Sequence, residues 1–151
     1  MEENEYKSAY SEIASIRCEF EKALTNNKAR CAYSRHFWLA DREGYACSHP
    51  QASARCRSLL EQLRANSRFI LKLPQAGERL PHNMEIRVQA GGLSGIQQLF
   101  AAQHQPIEDI RALIEQAEKE YGSLDDLPYD RVVQSISRYK GRKSRKRSQE
   151  N

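Results

Sequence analysis

Apolar side chains recur at three- and four-residue steps through much of this chain, and that spacing constrains its fold more than any other feature. Over about residues 5–24 they form one stripe, and a second stripe lies between about 106 and 122. Because an α-helix turns every 3.6 residues, each stripe predicts a helix with one buried face. The first consists of Tyr6, Tyr10, Ile13, Ile16, Phe20 and Leu24, and the second of Ile107, Ile110, Leu113, Ile114, Ala117 and Tyr121.

Capping and helix-breaking residues divide the rest of the chain into further helices. We expect a second helix over about 28–42, and a third with Ser48 as its N-cap and Pro50 in its first turn. The glycine pair at 91–92 should end one segment and precede a short helix. The last helix should follow Pro128, because proline is well tolerated where a helix begins.

Two short segments in the middle of the chain have the composition of strands. Apolar and polar residues alternate over about 84–90, and the segment at about 69–73 is a short apolar run. Two prolines and a glycine between them indicate a loop. We therefore predict a mainly α protein, a small helical domain of about five to six helices with a short two-stranded hairpin at about 69–73 and 84–90.

Positive charge is concentrated at the carboxyl end. Residues 140–151 hold six Lys or Arg and one Glu, a net charge of +5, so the formal +4 of the whole chain leaves −1 for residues 1–139. The last twelve residues have no apolar side chain to bury, and we expect a disordered basic tail after a single helical domain over 1–139. Its basic residues are Lys140, Arg142, Lys143, Arg145, Lys146 and Arg147.

The compartment that we expect is the cytoplasm. No apolar run approaches the roughly 18 residues of a membrane helix, and the acidic, polar start MEENEYKSAYSEI does not resemble a secretory signal. We therefore expect no membrane association. In a reducing compartment cysteines remain thiols or bind metal, so a disulfide framework is not expected.

Four cysteines, spaced C-x12-C-x15-C-x8-C, are the one unusual chemical feature. Structural zinc sites use pairs of ligands two to four residues apart, and this chain has no such pair. Single cysteines from four different elements could instead surround a cluster larger than one ion. The candidate ligands are Cys18, Cys31, Cys47 and Cys56.

Two local features favour ligation. On a helix over 5–24, Cys18 would lie off the apolar stripe, so it would need a second packing surface or a ligand. Cys47 precedes the expected start of the third helix, where the helix dipole stabilises a thiolate. Arginines at 30, 55 and 57 flank the cysteines and would offset the charge of thiolate ligands.

The leading hypothesis is a small iron–sulfur protein, with a 4Fe–4S cluster, that has an accessory role in electron transfer, cluster delivery or redox sensing and acts with a protein partner. Zinc is the alternative cofactor, with His36 or His49 replacing a cysteine, and unligated thiols are the third reading. We do not expect an enzyme. Cys47 and His49 could form a nucleophile–base pair, but no oxyanion site accompanies them.

A different class of function follows from the basic tail. Its charges would contact nucleic-acid phosphates weakly and without sequence specificity, while the cysteines played a structural part. No aromatic residues interleave the charges, although stacking normally helps to hold single strands. A nucleic-acid-binding module is therefore the alternative, and a metal-free protein-interaction domain is a further one.

Overall fold

Helices account for most of the structure. The computed structural model describes residues 3–13, 16–72, 80–101 and 105–140, and the mainly helical class with a short hairpin is confirmed. In chain order the described elements are α1 (Glu3–Ile13), α2 (Glu21–Thr25), β1 (Ser34–Leu39), β2 (Arg42–Cys47), α3 (Pro50–Leu71), α4 (His82–Gln97), α5 (Ile110–Tyr121), a 3-10 turn (Leu124–Asp126) and α6 (Tyr129–Arg138).

Helices α3, α4 and α6 pack against one another and supply most of the fully buried side chains. Their apolar residues recur at helical spacing, so each helix buries one face in a shared core. The residues of these helices without exposed surface include Leu59, Leu60, Leu63, Val88, Leu93, Ile96, Val132 and Ile136.

The predicted strand at 84–90 is wrong, since these residues belong to α4. Glycines here do not break the helix but let α6 approach it. A methyl group on Gly95 would lie 2.7 Å from the carbonyl oxygen of Val132, and one on Gly91 would lie 2.9 Å from Ile136 Cα. The close packing of two backbones therefore outweighs the low helix propensity of glycine.

The other predicted strand, 69–73, is also misplaced. Residues 69–71 are the last turn of α3, and Lys72 ends that helix in the left-handed conformation, with φ of 53°. The described residues begin again at Leu80, so the rest of the predicted loop lies outside them.

The hairpin lies where a second helix was predicted. Strands β1 and β2 pair antiparallel from Ser34 opposite Cys47 to Leu39 opposite Arg42. The two-residue connection begins at Ala40, whose φ is 57°. The aromatic pair at 37–38 favours a strand and is the sequence signal for this outcome.

The first predicted helix, over 5–24, is interrupted by an extended segment. The amide of Cys47 donates to the carbonyl of Ile16 at 2.8 Å, and the amide of Cys18 donates to the carbonyl of Tyr45 at 3.1 Å. Residues 16–18 therefore lie along the free edge of β2, and the chain becomes helical again only at α2. The prediction that Cys18 lies off a helical stripe is thus wrong, because Cys18 is not in a helix.

The helix starts differ in detail from those predicted, and α5 ends close to residue 122 as predicted. His49, not Ser48, is the N-cap of α3, and its ring accepts a hydrogen bond from the amide of Ala52 at 3.1 Å. Asp109 caps α5, which begins at Ile110 and not at about residue 106. Gly122 ends α5 with a φ of 86°, as expected of a glycine C-cap.

One buried polar network joins three helices. The Arg64 guanidinium on α3 holds the buried Glu85 carboxylate of α4 at 2.8 and 3.1 Å, and Gln89 donates to the same carboxylate at 2.7 Å. Gln89 also accepts the amide of Ala23 in α2 at 3.1 Å. Because each group has a partner, burial of the carboxylate is compatible with a stable core.

In the part of the chain that the structure describes, every helix is too short or too polar to cross a lipid bilayer.

Candidate metal centre

All four cysteines line one cavity, bounded by the hairpin, α3 and the start of α5. Each is a free thiol and is half-buried. The cysteines come from four different segments, so the structure brings together residues that are up to 38 positions apart in sequence. The rest of the wall is formed by Glu19, Phe20, Tyr33, Ser34, Ala52, Ser53, Arg55, Ile110, Arg111 and Ile114.

Cys18 is held by the extended segment along β2. Its amide is bound to the hairpin, and its carbonyl accepts the amide of Glu21 at 3.2 Å in the turn that leads into α2. Phe20, in that turn, is fully buried and anchors the segment in the core. The carboxylate of Glu21 accepts the amide of Tyr45 at 2.9 Å and fixes the turn against β2.

Cys31 lies in the loop between α2 and β1, which is bound to the start of α5. The amide of Arg30 donates to Ile107 at 2.9 Å, and the amide of Ile110 donates back to Arg30 at 2.8 Å. The Asp109 carboxylate accepts the amide of Ala32 at 2.9 Å as well as capping α5. Asp109 therefore clamps the Cys31 loop to α5.

Cys47 and Cys56 approach the cavity from either side of the α3 N-terminus. Cys47 is the last residue of β2, and its sulfur accepts the amide of His49 at 3.4 Å. Cys56 lies in the second turn of α3, close to the fully buried Leu59 and Leu60. The chain turns back between the two thiols, which a continuous helix from 47 to 56 would not have allowed.

A repeated local geometry surrounds three of the sulfurs. In each case the backbone N–H two residues later lies near the sulfur, and at Cys47 it donates to the sulfur at 3.4 Å. Such bonds stabilise a thiolate over a thiol, since the donor interacts best with negative charge. The pairs are Cys18 with Phe20, Cys31 with Tyr33, and Cys47 with His49.

Burial nevertheless favours the protonated form of three of the thiols, those of Cys18, Cys31 and Cys56. It raises the pKa of Cys18 to about 12, and the neighbouring Cys31 and Cys47 add to the effect. Burial, followed by the other three cysteines, raises the pKa of Cys56, and burial also raises that of Cys31. The pKa values of Cys18 and Cys56 each respond to the charges of other cysteines, so the thiols lie close together. Four thiolates could coexist here only around a compensating positive centre.

Two arginines lie on the cavity wall. Arg55 forms an ion pair with Glu118 at 3.2 Å. Arg111 forms ion pairs with Asp109 and Glu115, and its guanidinium carbon lies 5.1 Å from the centre of the Tyr33 ring. Of the three arginines expected to flank the cysteines, those at 30 and 57 are not part of this wall.

Both candidate histidines are engaged outside the cavity wall. His49 uses Nδ1 to cap α3, and its ring stacks on Tyr33 at 4.6 Å. His36 bonds to Glu43 at 2.7 Å and stacks on Tyr45 at 4.6 Å. The structure thus brings the four cysteines together without either histidine.

The cysteines surround a space but do not meet at one point. Within the described ranges, no group of three or more His, Cys, Asp or Glu side chains is placed so that it could hold a metal ion. The tail residues proposed for nucleic acid are also not part of this site: Lys140 is exposed, and the others lie beyond the described residues.

Comparison of the chain with protein-family models, curated proteins and solved structures finds no match.

Sequence reasoning missed three residues of the site. Asp109 stands immediately before an apolar helical repeat, a recognisable N-cap position, and this signal could have found it. Arg111 and Ser53 carry no local signal that sets them apart from other arginines and serines. Their position on the cavity wall depends on tertiary packing.

Proposed function

We propose that this protein binds a 4Fe–4S cluster through Cys18, Cys31, Cys47 and Cys56. The observation that carries the proposal is the convergence of four cysteines, one from each of four segments, on one cavity. Random burial of small apolar residues would not favour one shared site for all the thiols of the chain. The hydrogen-bond donors around three of the sulfurs are a second, independent support.

The spacing around the cavity favours a cluster over a single zinc ion. A tetrahedral zinc site needs every sulfur about 2.3 Å from one ion. A cubane cluster has one iron for each cysteine, so its four ligands surround a larger body. Thiols that line one cavity from four segments, with no set placed for one ion, fit the second arrangement better.

The charges on the wall also suit a cluster. Four thiolates around an oxidised 4Fe–4S core carry a net charge of about −2, which a protein offsets with nearby cations and N–H dipoles. Arg55 and Arg111 place two guanidinium groups on the wall, each also paired with a carboxylate, and backbone amides lie near three sulfurs. Apolar neighbours such as Phe20, Ile110 and Ile114 would limit access of water.

Electron transfer with a protein partner is the role that we propose for the cluster. The cysteines are half-buried, so the cluster would be shielded on its inner side and near the surface on its outer side. One-electron exchange needs such proximity to the surface. The partner remains to be identified by its ability to reduce or oxidise the loaded protein.

Anaerobic purification tests the proposal directly. We expect about four iron and four sulfide per chain, with visible absorption that bleaches on reduction. A content of one zinc ion per chain and no sulfide would show that the protein has a zinc site and not a cluster. A protein that contains no metal after anaerobic reconstitution with iron and sulfide would contradict the proposal.

Single substitutions identify the ligands. Each Cys→Ser variant should lose most of its iron and melt at a lower temperature, because metal binding and folding are coupled. Ala54→Ser, on the exposed side of α3 close to Cys56, is a matched control that should keep its iron. Full iron content in any Cys→Ser variant would remove that cysteine from the ligand set.

A further inference from the structure

Ser53 has a buried hydroxyl with no hydrogen-bond partner. The residue is 3% exposed and lines the cysteine cavity, and among the described residues nothing bonds to its Oγ. Ser67, on the same helix and also buried, donates its hydroxyl to the carbonyl of Leu63 at 2.6 Å. Buried polar groups are normally paired, so the contrast between these two serines requires an explanation.

The carbonyl that Ser53 would ordinarily use is already occupied. A serine inside a helix usually donates to the carbonyl four residues earlier, which here belongs to His49. That carbonyl accepts the amide of Ser53 at 3.0 Å, and the sulfur of Cys47 lies 3.3 Å from it. In the metal-free protein the hydroxyl therefore has no acceptor on its own helix, and it belongs to a residue of the cavity wall.

Arg111 presents a second uncommitted donor on the same wall. Its terminal nitrogens bind Glu115 and Asp109, while Nε is shielded from solvent and has no partner within the described structure. Three buried side-chain atoms in the described residues lack a partner, and two of them, Ser53 Oγ and Arg111 Nε, belong to residues of this cavity.

We propose that Ser53 Oγ–H and Arg111 Nε–H donate hydrogen bonds to sulfur atoms of the bound cluster and thereby raise its reduction potential. This inference rests on the proposed function. Reduction adds one electron and makes the cluster more negative, so donors that point at its sulfurs stabilise the reduced form more than the oxidised form. Both are positioning residues and not ligands.

The test compares Ser53→Ala with Ser67→Ala in the anaerobically purified protein. Ser53→Ala should keep its iron and sulfide and shift the equilibrium toward the oxidised form by about tenfold, which is about 59 mV for a one-electron couple. Ser67→Ala removes a buried hydroxyl from the same helix but away from the cavity, so its midpoint potential should equal that of the wild type. Ser53→Thr, which keeps the hydroxyl, should restore the potential.

The outcomes separate this inference from the proposed function. A wild-type protein without iron and sulfide would overturn both. A loaded wild type whose midpoint potential equals that of Ser53→Ala would overturn only the role of Ser53. If Ser53→Ala loses its cluster, retention by Ser53→Thr would support the hydroxyl as a donor, and equal loss by both would contradict it.

Discussion

The thiol of Cys18 holds its proton more tightly in the folded protein than in the unfolded chain. Burial raises its folded pKa from 9.0 to about 12, so between these values the folded state binds more protons than the unfolded state. In the metal-free protein, the free energy of unfolding should therefore fall as pH rises from about 9 to 12. Below about pH 9 this contribution is fully present.

Cys18→Ser should weaken that pH dependence, because serine does not titrate in this range. Urea denaturation of the metal-free wild type and variant at several pH values measures the difference. Buried tyrosines with raised pKa values, such as Tyr129, contribute equally to both proteins and cancel. Identical pH profiles would show that Cys18 is not buried as described.

At the residue scale, the sequence singled out the four cysteines that line the cavity but not the groups that surround them. Cysteines are rare enough in a reduced protein that four of them form a candidate set by count alone. The donors Ser53 and Arg111 belong to common residue types, and their roles depend on which carbonyls and carboxylates are already occupied. Such competition is visible only in three dimensions.

Asp109 caps α5 and also holds the Cys31 loop, so its removal should affect both the helix and the site. Asp109→Ala removes the N-cap of α5 and the acceptor of the Ala32 amide, so we expect a loss of about 1–2 kcal/mol of stability. The loop that carries Cys31 would be released, and iron content should fall. Urea denaturation and iron analysis measure the two effects.

Ser123→Ala is the matched control for that prediction. Ser123 caps the 3-10 turn by accepting the amide of Asp125 at 3.0 Å, and it does not line the cavity. The Ser123→Ala variant should be less stable than the wild type but should keep its iron. Full iron content in Asp109→Ala would show that the clamp on the Cys31 loop is not needed for the site.

The contact between α4 and α6 depends on glycine. Gly95→Ala would place a methyl group 2.7 Å from the backbone oxygen of Val132, so one helix must move. We expect a cost of about 1–3 kcal/mol for this overpacking, which exceeds the gain of at most about 1 kcal/mol in helix propensity. Chemical denaturation measures the change.

Gly92→Ala on the same helix is the control. Its methyl group would meet the end of the Leu63 side chain at 2.7 Å, and a side chain can turn away more easily than a backbone. The loss should be smaller than for Gly95→Ala. The reverse order would contradict the close approach of α4 and α6.

At the element scale, the predictions were right where the apolar residues followed the helical spacing and no other. Helices α5 and α6 show apolar residues at helical spacing and clear end signals, and both were predicted. The alternation at 84–90 indicated a strand, but packing against α6 imposed a helix. Residues 16–18 suit a helix locally, yet pairing with β2 extends them. Tertiary contacts decided each of these cases.

For the whole molecule, the basic tail should be separable from the cysteine site. Removal of residues 141–151 eliminates five of the six basic residues in the last twelve, and we expect unchanged iron content. If the full chain binds nucleic acid, the truncated chain should bind less, with a smaller salt dependence, since each phosphate contact contributes about −0.9 to the log–log slope on duplex DNA.

Titration of both proteins against mixed-sequence duplex DNA and single-stranded RNA at two salt concentrations measures their affinities and the salt dependence of binding. Absence of binding by the full chain at low salt would eliminate the nucleic-acid alternative. Equal binding by both proteins would place the contacts on residues 28–72, which carry nine Lys or Arg against three Asp or Glu.

The clamp between Ala32 and Asp109 joins residues that are 77 positions apart, and this separation has a consequence during synthesis. All four cysteines leave the ribosome well before α5 does. Until then the Cys31 loop lacks its fixed position, and the wall contributed by Ile110, Arg111 and Ile114 is missing. We therefore expect metal loading to follow translation, with the thiols exposed to oxidation on the nascent chain in the interval.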